Sequence, residues 1–292
     1  MNDGSPALFQ KDKRRIARNF SRAAAGYDGL AQFQQTVGAR LVESLPVMRV
    51  RPTVFADLGS GTGRLAQGIR GIYPGSTGIQ IDLAEAMLRQ ARPRWPWRRT
   101  RSHWICADAE SLPVKDASLD LVASNLMLQW CNEPGRVLEE AFRALRPGGL
   151  LLLSTLGPGT LEELRASWRE VDAGVHVNAF LDIHSLGTAL ASMGFSGPVL
   201  ETEKFTLTYA DGMALMRDLK RLGTGNANFG RPRTLTGKGR LNEMLQNYEH
   251  YREDGKLPAT YEVIYTHAWR PAGKIGHPRG TITIPVSSIR RN

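Results

Sequence analysis

The sequence predicts an α/β fold, a mostly parallel sheet with helices on both faces. Three observations predict it. Between Thr53 and Thr155, short apolar runs alternate with helix-like stretches at a spacing that suits βαβ crossovers. The run Val54 to Gly63 (Val-Phe-Ala-Asp-Leu-Gly-Ser-Gly-Thr-Gly) joins the first strand to a helix through three glycines at alternate positions. Asp57, Asp82, Asp108 and Asn125 fall at or just beyond the ends of four successive strands, the edge where such sheets bind ligands.

The elements follow in order. At helical periodicity Ile16, Phe20, Ala23 and Tyr27 share one stripe, with Lys11, Arg14, Arg15, Arg18 and Arg22 around the opposite face. A second helix over Phe33 to Leu45 ends at Pro46. Thr53 to Leu58 reads as a strand and Arg64 to Ile72 as a helix closed by Pro74. Ser76 to Ile81 is a strand ending at Asp82, followed by a helix over Ala84 to Ala91. Ser102 to Cys106 and Leu119 to Asn125 are strands, and Arg136 to Leu145 is a helix. Pro147-Gly148-Gly149 predicts a turn, with a fifth strand over Leu150 to Thr155.

Then the rhythm changes. Ile183 to Met193 is a helix stopped by Gly194, and Val199 to Tyr209 a strand. Gly212 to Leu222 and Leu241 to Arg252 read as helices, and Thr260 to Trp269 as a last strand. This organisation gives residues 1–50 as a helical segment covering the site and 51–270 as the ligand-binding domain. Within it, residues 157–182 and 211–252 form a helical cap over the strand ends. Residues 271–292, Gly/Pro-rich and basic, read as a poorly ordered tail.

The glycine loop selects its ligand. A phosphate-binding P-loop needs Lys and then Ser or Thr after the last glycine, and here Arg64-Leu65 follow Gly63. A dinucleotide fingerprint is spaced G-x-G-x-x-G, whereas this loop is G-x-G-x-G with Asp57 two residues ahead of Gly59. A carboxylate there repels a pyrophosphate and suits an ammonium. S-adenosylmethionine carries an ammonium and no phosphate. The loop therefore points to S-adenosylmethionine, held by Asp57, Gly59, Ser60, Gly61 and Gly63.

The remaining strand ends extend that site. Asp82, 19 residues after Gly63, stands with Leu83 where a carboxylate accepts ribose hydroxyls, though it also suits a helix N-cap. Asp108 and Ala109 suit an adenine amino group and ring, the bland alternative for Asp108 being an exposed turn. Asn125 to Trp130 should border the sulfonium, with Gln129 and Trp130 lining the site unless they merely pack the next helix. Tyr27 is either core or a hydroxyl closing over the pocket. His103, His176, His184 and His267 are too scattered to suggest a metal, and no nucleophile–base pattern stands out.

Composition bounds the rest. The chain has 292 residues, 41% of them hydrophobic, enough for a full core. No apolar run reaches the roughly 18 residues of a membrane span. The start lacks a basic segment followed by an apolar core, and the two cysteines lack metal spacing, which together favour a reducing cytoplasm. Net charge is +10, concentrated in Lys11 to Arg22, Arg89 to Arg101 and Arg217 to Arg240. Such runs are either solvated surface or the footprint of an acidic partner, nucleic acid or protein.

With these motifs the chain resembles class I S-adenosylmethionine-dependent methyltransferases. Ile16 to Tyr27, Ser124-Asn125-Leu126 with Gln129-Trp130-Cys131, and Ala173 to Leu181 further resemble the malonyl-acyl-carrier-protein O-methyltransferase family of biotin synthesis. So do Leu219 to Gly223, Gly230-Arg231, Leu235-Thr236 and Tyr261 to His267. The resemblance implies a Rossmann-like seven-stranded sheet whose last strand is antiparallel. It also implies methyl transfer to the free carboxylate of malonyl-acyl carrier protein or malonyl-CoA, giving the ester that primes pimeloyl and biotin synthesis. A carboxylate with a pKa near 4 is already ionised, so no general base is expected. Tyr27, Gln129 and Trp130 would position the reactants, and Lys220 and Arg231 would meet the acceptor. Carrier proteins are generally acidic, which gives the basic faces a protein partner in preference to nucleic acid, and no membrane partner is expected. The Arg- and Trp-rich loop Arg92 to Arg101 and the tail depart from the pattern. Competing readings are a related protein acting on another protein as hydroxylase or assembly factor, and an RNA methyltransferase using Trp95 and Trp97 to stack bases.

Overall fold

A computed structural model describes residues 10–94, 101–228 and 237–273. Seven strands form one sheet in the order β3-β2-β1-β4-β5-β7-β6. They are β1 (Val54–Leu58), β2 (Thr77–Asp82), β3 (Ser102–Cys106), β4 (Leu119–Asn125), β5 (Leu145–Leu156), β6 (Ser196–Tyr209) and β7 (Leu257–Trp269). The first five run parallel, and β7 is antiparallel to both of its neighbours. The expected sheet, with its last strand reversed, is the one observed.

Alternation along the central strands builds two cores. Phe55, Leu121, Ala123, Leu150 and Leu152 point to one face, against α3 (Gln32–Ser44) and α4 (Arg64–Ile72). Ala56, Leu58, Val122, Leu151 and Leu153 point to the other, against α6 (Pro134–Ala144) and α8 (Ile183–Ser192). Because successive side chains alternate, a strand buried on both faces is largely apolar, which is how these strands read up to the polar residues near their carboxyl ends. The helix α5 (Glu85–Ala91) follows β2.

Two local expectations are corrected. The N-terminal helix does not reach Tyr27: α1 (Lys13–Ala23) gives way to a 3₁₀ turn at Ala24–Gly26, and Tyr27 opens the four-residue α2 (Tyr27–Leu30). The Ala-Ala-Gly run tightens to 3₁₀ there, and the Phe20 and Tyr27 rings stay 6.3 Å apart. Pro147-Gly148-Gly149 lies inside β5 rather than before it. Between the pairs Leu119–Leu145 and Leu121–Leu150, β5 inserts extra residues as a bulge, with Gly148 at φ +82°.

The hairpin β6–β7 overhangs the parallel strands. β5 ends where Leu156 pairs with Val263, but β7 continues back to Leu257, opposite Tyr209. That overhang is the floor of the cap. On it pack α7 (Glu162–Arg169), α9 (Gly212–Arg221) and α10 (Lys238–Glu249), burying Trp168, Leu215, Met244 and Tyr248 with Ala259 and Tyr261. Glu163, buried in α7, accepts from both the backbone and the hydroxyl of Thr260. The Tyr248 hydroxyl donates to Pro258 O at 2.6 Å. The expected tail, from residue 274 onward, lies outside the described residues.

Candidate active site

A cavity of about 1150 Å³ runs from the glycine loop, along the carboxyl ends of the parallel strands, to the underside of the cap. Its first wall is the turn from β1 to α4. Gly59, Gly61 and Gly63 all have left-handed backbones, with φ of +66°, +52° and +79°. A Cβ on Gly59 would stand 2.3 Å from Met127 Cγ, and one on Gly63 would stand 2.5 Å from Gln80 Oε1. Gly61 meets nothing, so its glycine is needed for conformation alone. The N–H groups of Gly59 and Ser60 both donate to Ile81 O, at 2.8 and 3.1 Å. Gly59 and Ser60 line the cavity with Thr62.

Asp57 is 1% exposed. Its Oδ2 accepts from Ala66 N at 3.1 Å, while its Oδ1 is buried with no hydrogen-bond partner. Burial pushes its carboxyl pKa up to about 8, opposed by the Ala66 bond and helped by the charge of Asp82. An orphaned carboxylate oxygen on the cavity wall is a place made for a cation.

Asp82 is clamped from two sides. Gly61 N donates to its Oδ2 at 2.8 Å and Ala84 N to its Oδ1 at 2.7 Å. Burial holds its pKa above the usual range despite these two bonds. The N-cap of α5 is Ala84, so Asp82 braces the turn before the helix while it lines the cavity with Leu83. Each carboxylate oxygen keeps a second lone pair for a ligand hydroxyl.

Asp108 and Ala109 also border the cavity. Here the surroundings differ from the sequence expectation: Lys13 of α1 reaches both Asp108 Oδ2, at 2.5 Å, and Glu110 Oε2, at 2.7 Å. An amino group arriving at Asp108 shares that carboxylate with an ammonium already there. Asn125 is committed too. Its Nδ2 donates to Gln34 O at 2.9 Å and its Oδ1 accepts from Ser154 Oγ at 2.8 Å, tying α3 to β5.

Beyond Asn125, Leu126 takes a left-handed φ of +51° and turns the chain into a short 3₁₀ helix, Leu128–Trp130. Gln129 is fixed at both ends, donating to Leu126 O at 2.6 Å and accepting from Thr155 Oγ1 at 3.2 Å. Trp130 meets Phe20 edge to face at 5.3 Å, and both line the cavity with Tyr27. Burial, with the charge of Asp82, drives the Tyr27 phenol far above its ordinary pKa, so it stays protonated. Lys220 lines the mouth and is exposed. Arg231, Trp95 and Trp97 lie outside the described residues.

Sequence reasoning missed two parts of this site. Asp28 in α2 accepts from Thr62 Oγ1 at 2.6 Å and pairs with Arg64 at 3.5 Å, strapping α2 to the glycine loop. His176 and Asn178 line the cap end of the cavity. The signal available was their place in Ala173 to Leu181, but a lone histidine carries no pattern until the fold supplies its partners.

Residues 56–153 match a family model described as a methyltransferase domain. A malonyl-[acyl-carrier protein] O-methyltransferase of Methylovorus is 46% identical over 92% of this chain and 93% of its own. The chain belongs to the malonyl-[acyl-carrier protein] O-methyltransferase family. Consistent with that, this methyltransferase is 39% identical, over 89% of its length, to about half (51%) of the biotin biosynthesis bifunctional protein BioHC of Cellvibrio japonicus. Among solved structures, the YcgJ protein of Bacillus subtilis superposes on 80% of the methyltransferase and all of itself, with a TM-score of 0.58 at 15% identity, a likeness of fold.

Proposed function

We propose that this protein methylates the free carboxylate of malonyl-acyl carrier protein with S-adenosylmethionine, giving the methyl ester used in biotin synthesis. One observation carries the reading: the strand-end carboxylates and the cap share a single cavity, which gives methyl donor and acceptor one space in which to meet. The residues fit the donor. Asp57 Oδ1 would take its ammonium, Asp82 its ribose hydroxyls, and Asp108 with Ala109 its adenine edge, the amino group sharing Asp108 with Lys13. Gly59 and Ser60, on the cavity wall, would bring backbone close to it, with Gly61 and Gly63 holding the left-handed turn behind them. Asn125 would border it as a brace. When bound, S-adenosylmethionine supplies a methyl group on a positively charged sulfur.

The chain then has three tasks: to bind the acceptor, to align its oxygen and to exclude water. The acceptor carboxylate is ionised without help. Tyr27 donates from a phenol that stays protonated, and the fixed amide of Gln129 and the ring of Trp130 shape the space beside it. Lys220 would draw the negative acceptor to the mouth, and Arg231 has the same proposed task. Arg14, Arg18 and Arg22 are exposed along α1 and would meet the acidic carrier protein. No helix among the described residues is long and apolar enough to cross a membrane. The test is transfer of labelled methyl to malonyl-carrier protein. Base-labile label is the expected result. Label that resists base, or appears on RNA instead, would reject the assignment.

A further inference from the structure

Under the cap the cavity is walled by residues 176–178, the loop 224–226 and α9. Two side chains there share one arrangement. The His176 ring stacks on Trp168, with centroids 3.7 Å apart and planes 5° from parallel, and its Nε2 lies 2.7 Å from Asp172 Oδ1. Arg240 approaches the other Asp172 oxygen at 3.4 Å. Asn178 accepts at Oδ1 from Asn228 Nδ2 at 2.9 Å. The segment carrying both is pinned from the facing loop, because Asn226 Nδ2 donates to Val175 O and Asn228 N donates to Asn226 Oδ1.

Each residue thus has one polar end held by the protein. The other ends, Nδ1 of His176 and Nδ2 of Asn178, have no partner among the described residues, and both side chains line the cavity. A polar side chain anchored at one end, with its other hydrogen-bonding atom unpartnered on a cavity wall, is oriented in advance for a ligand. Lys220 offers no such preparation, being exposed at the mouth.

We propose that His176 and Asn178 form the acceptor-carboxylate site. The inference rests on the proposed function and names the part of the cavity that reads the malonyl group. Asn178 donates an N–H to one carboxylate oxygen. With Asp172 accepting at Nε2, donation from Nδ1 to the acceptor requires a proton on each ring nitrogen, so the ring would sit between two carboxylates. The second oxygen is left to face the methyl donor. Attack on the methyl by that second oxygen gives a neutral ester and S-adenosylhomocysteine, and the held oxygen, now an uncharged carbonyl, keeps only weaker bonds, which favours release.

The experiment compares malonyl- and acetyl-carrier protein binding to the full-length enzyme saturated with S-adenosylhomocysteine. The wild type is expected to prefer the malonyl form about 10- to 100-fold. Asn178→Asp keeps an oxygen for Asn228 but replaces the donor with a carboxylate, and is expected to abolish the preference. His176→Phe keeps a ring against Trp168 without nitrogens, and is expected to raise the malonyl-carrier KM about 10-fold or more with a smaller change in kcat. Both should bind S-adenosylhomocysteine and acetyl-carrier protein as the wild type does, a split that a purely structural role would not produce. Arg18→Gln, exposed on α1, should weaken both carriers equally. Retention of the malonyl preference by variants that bind S-adenosylhomocysteine normally overturns the assignment of these two residues. A wild type that methylates no malonyl-carrier protein would instead remove the proposed function.

Discussion

Asp57 is the residue whose environment is most costly and most informative. Its folded pKa of about 8 lies above the ordinary carboxylate value, so the empty protein holds a neutral carboxyl there below that pH. The consequence for stability is a penalty that is absent below the unfolded pKa, grows as pH rises and is complete once pH passes about 8. Asp57→Asn, which cannot ionise, should therefore make the ligand-free protein melt at a higher temperature than the wild type at pH 8, with the gap closing toward pH 4. Ligand binding should move the opposite way. An ammonium favours the ionised carboxylate, so affinity for S-adenosylhomocysteine should increase from pH 6 to pH 8 with proton release. In Asp57→Asn it should be about 10- to 100-fold weaker and flat over that range. Calorimetry in two buffers of different ionisation enthalpy reads both effects.

At the scale of elements, the decisive joint is where α1 docks on the cap. Gly223 ends α9 with φ +78°, and a Cβ there would lie 3.0 Å from Asn19 O of α1. Gly223→Ala should cost about 1 kcal/mol or more in a denaturant titration and reduce methyl transfer, since α1 carries Phe20 against Tyr27 and Trp130. This joint also shows what could be read from the chain. The strands of the parallel sheet were legible because burial on both faces favours largely apolar runs between turn residues. The strand-end acids were legible because their spacing follows from that rhythm. The break after Ala23 was not, since a stripe through Ile16, Phe20 and Tyr27 looks the same whether or not the helix tightens between them. The β5 bulge was hidden because Pro147-Gly148-Gly149 has identical turn chemistry inside a strand or before it. The Asp28–Thr62 strap and the Asp172–His176–Trp168 stack were hidden more deeply, being contacts whose energy exists only once distant segments meet.

For the whole molecule, a net charge of +10 sets the behaviour toward a charged partner. Screening shortens the reach of such charge to about 8 Å at physiological salt. The KM for an acidic carrier protein should therefore rise several-fold between 50 and 300 mM salt, about as steeply for Arg18→Gln only if that residue takes no part in the encounter. Affinity for S-adenosylhomocysteine, held within the cavity, should change far less, and the contrast is measurable in a single titration series.

The overhanging β6–β7 hairpin has a mechanical consequence. One strand, β7, is at once a partner of β5 in the sheet and the floor beneath α7 and α10, so the roof and foundation of the chamber are a single rigid piece. The N-terminal helices pack Phe20, Ala24 and Tyr27 on Ala84 and Met87 and are further tied by Lys13 to Asp108 and Glu110, by Asp12 N to Ala227 O and by Asp28 to Thr62. The polar ties are partly exposed, and water can replace them at little cost. A doorway on the amino-terminal side predicts that amide exchange is faster in residues 13–30 than in the hairpin and slows sharply when S-adenosylhomocysteine is added, while the hairpin keeps its protons in either state.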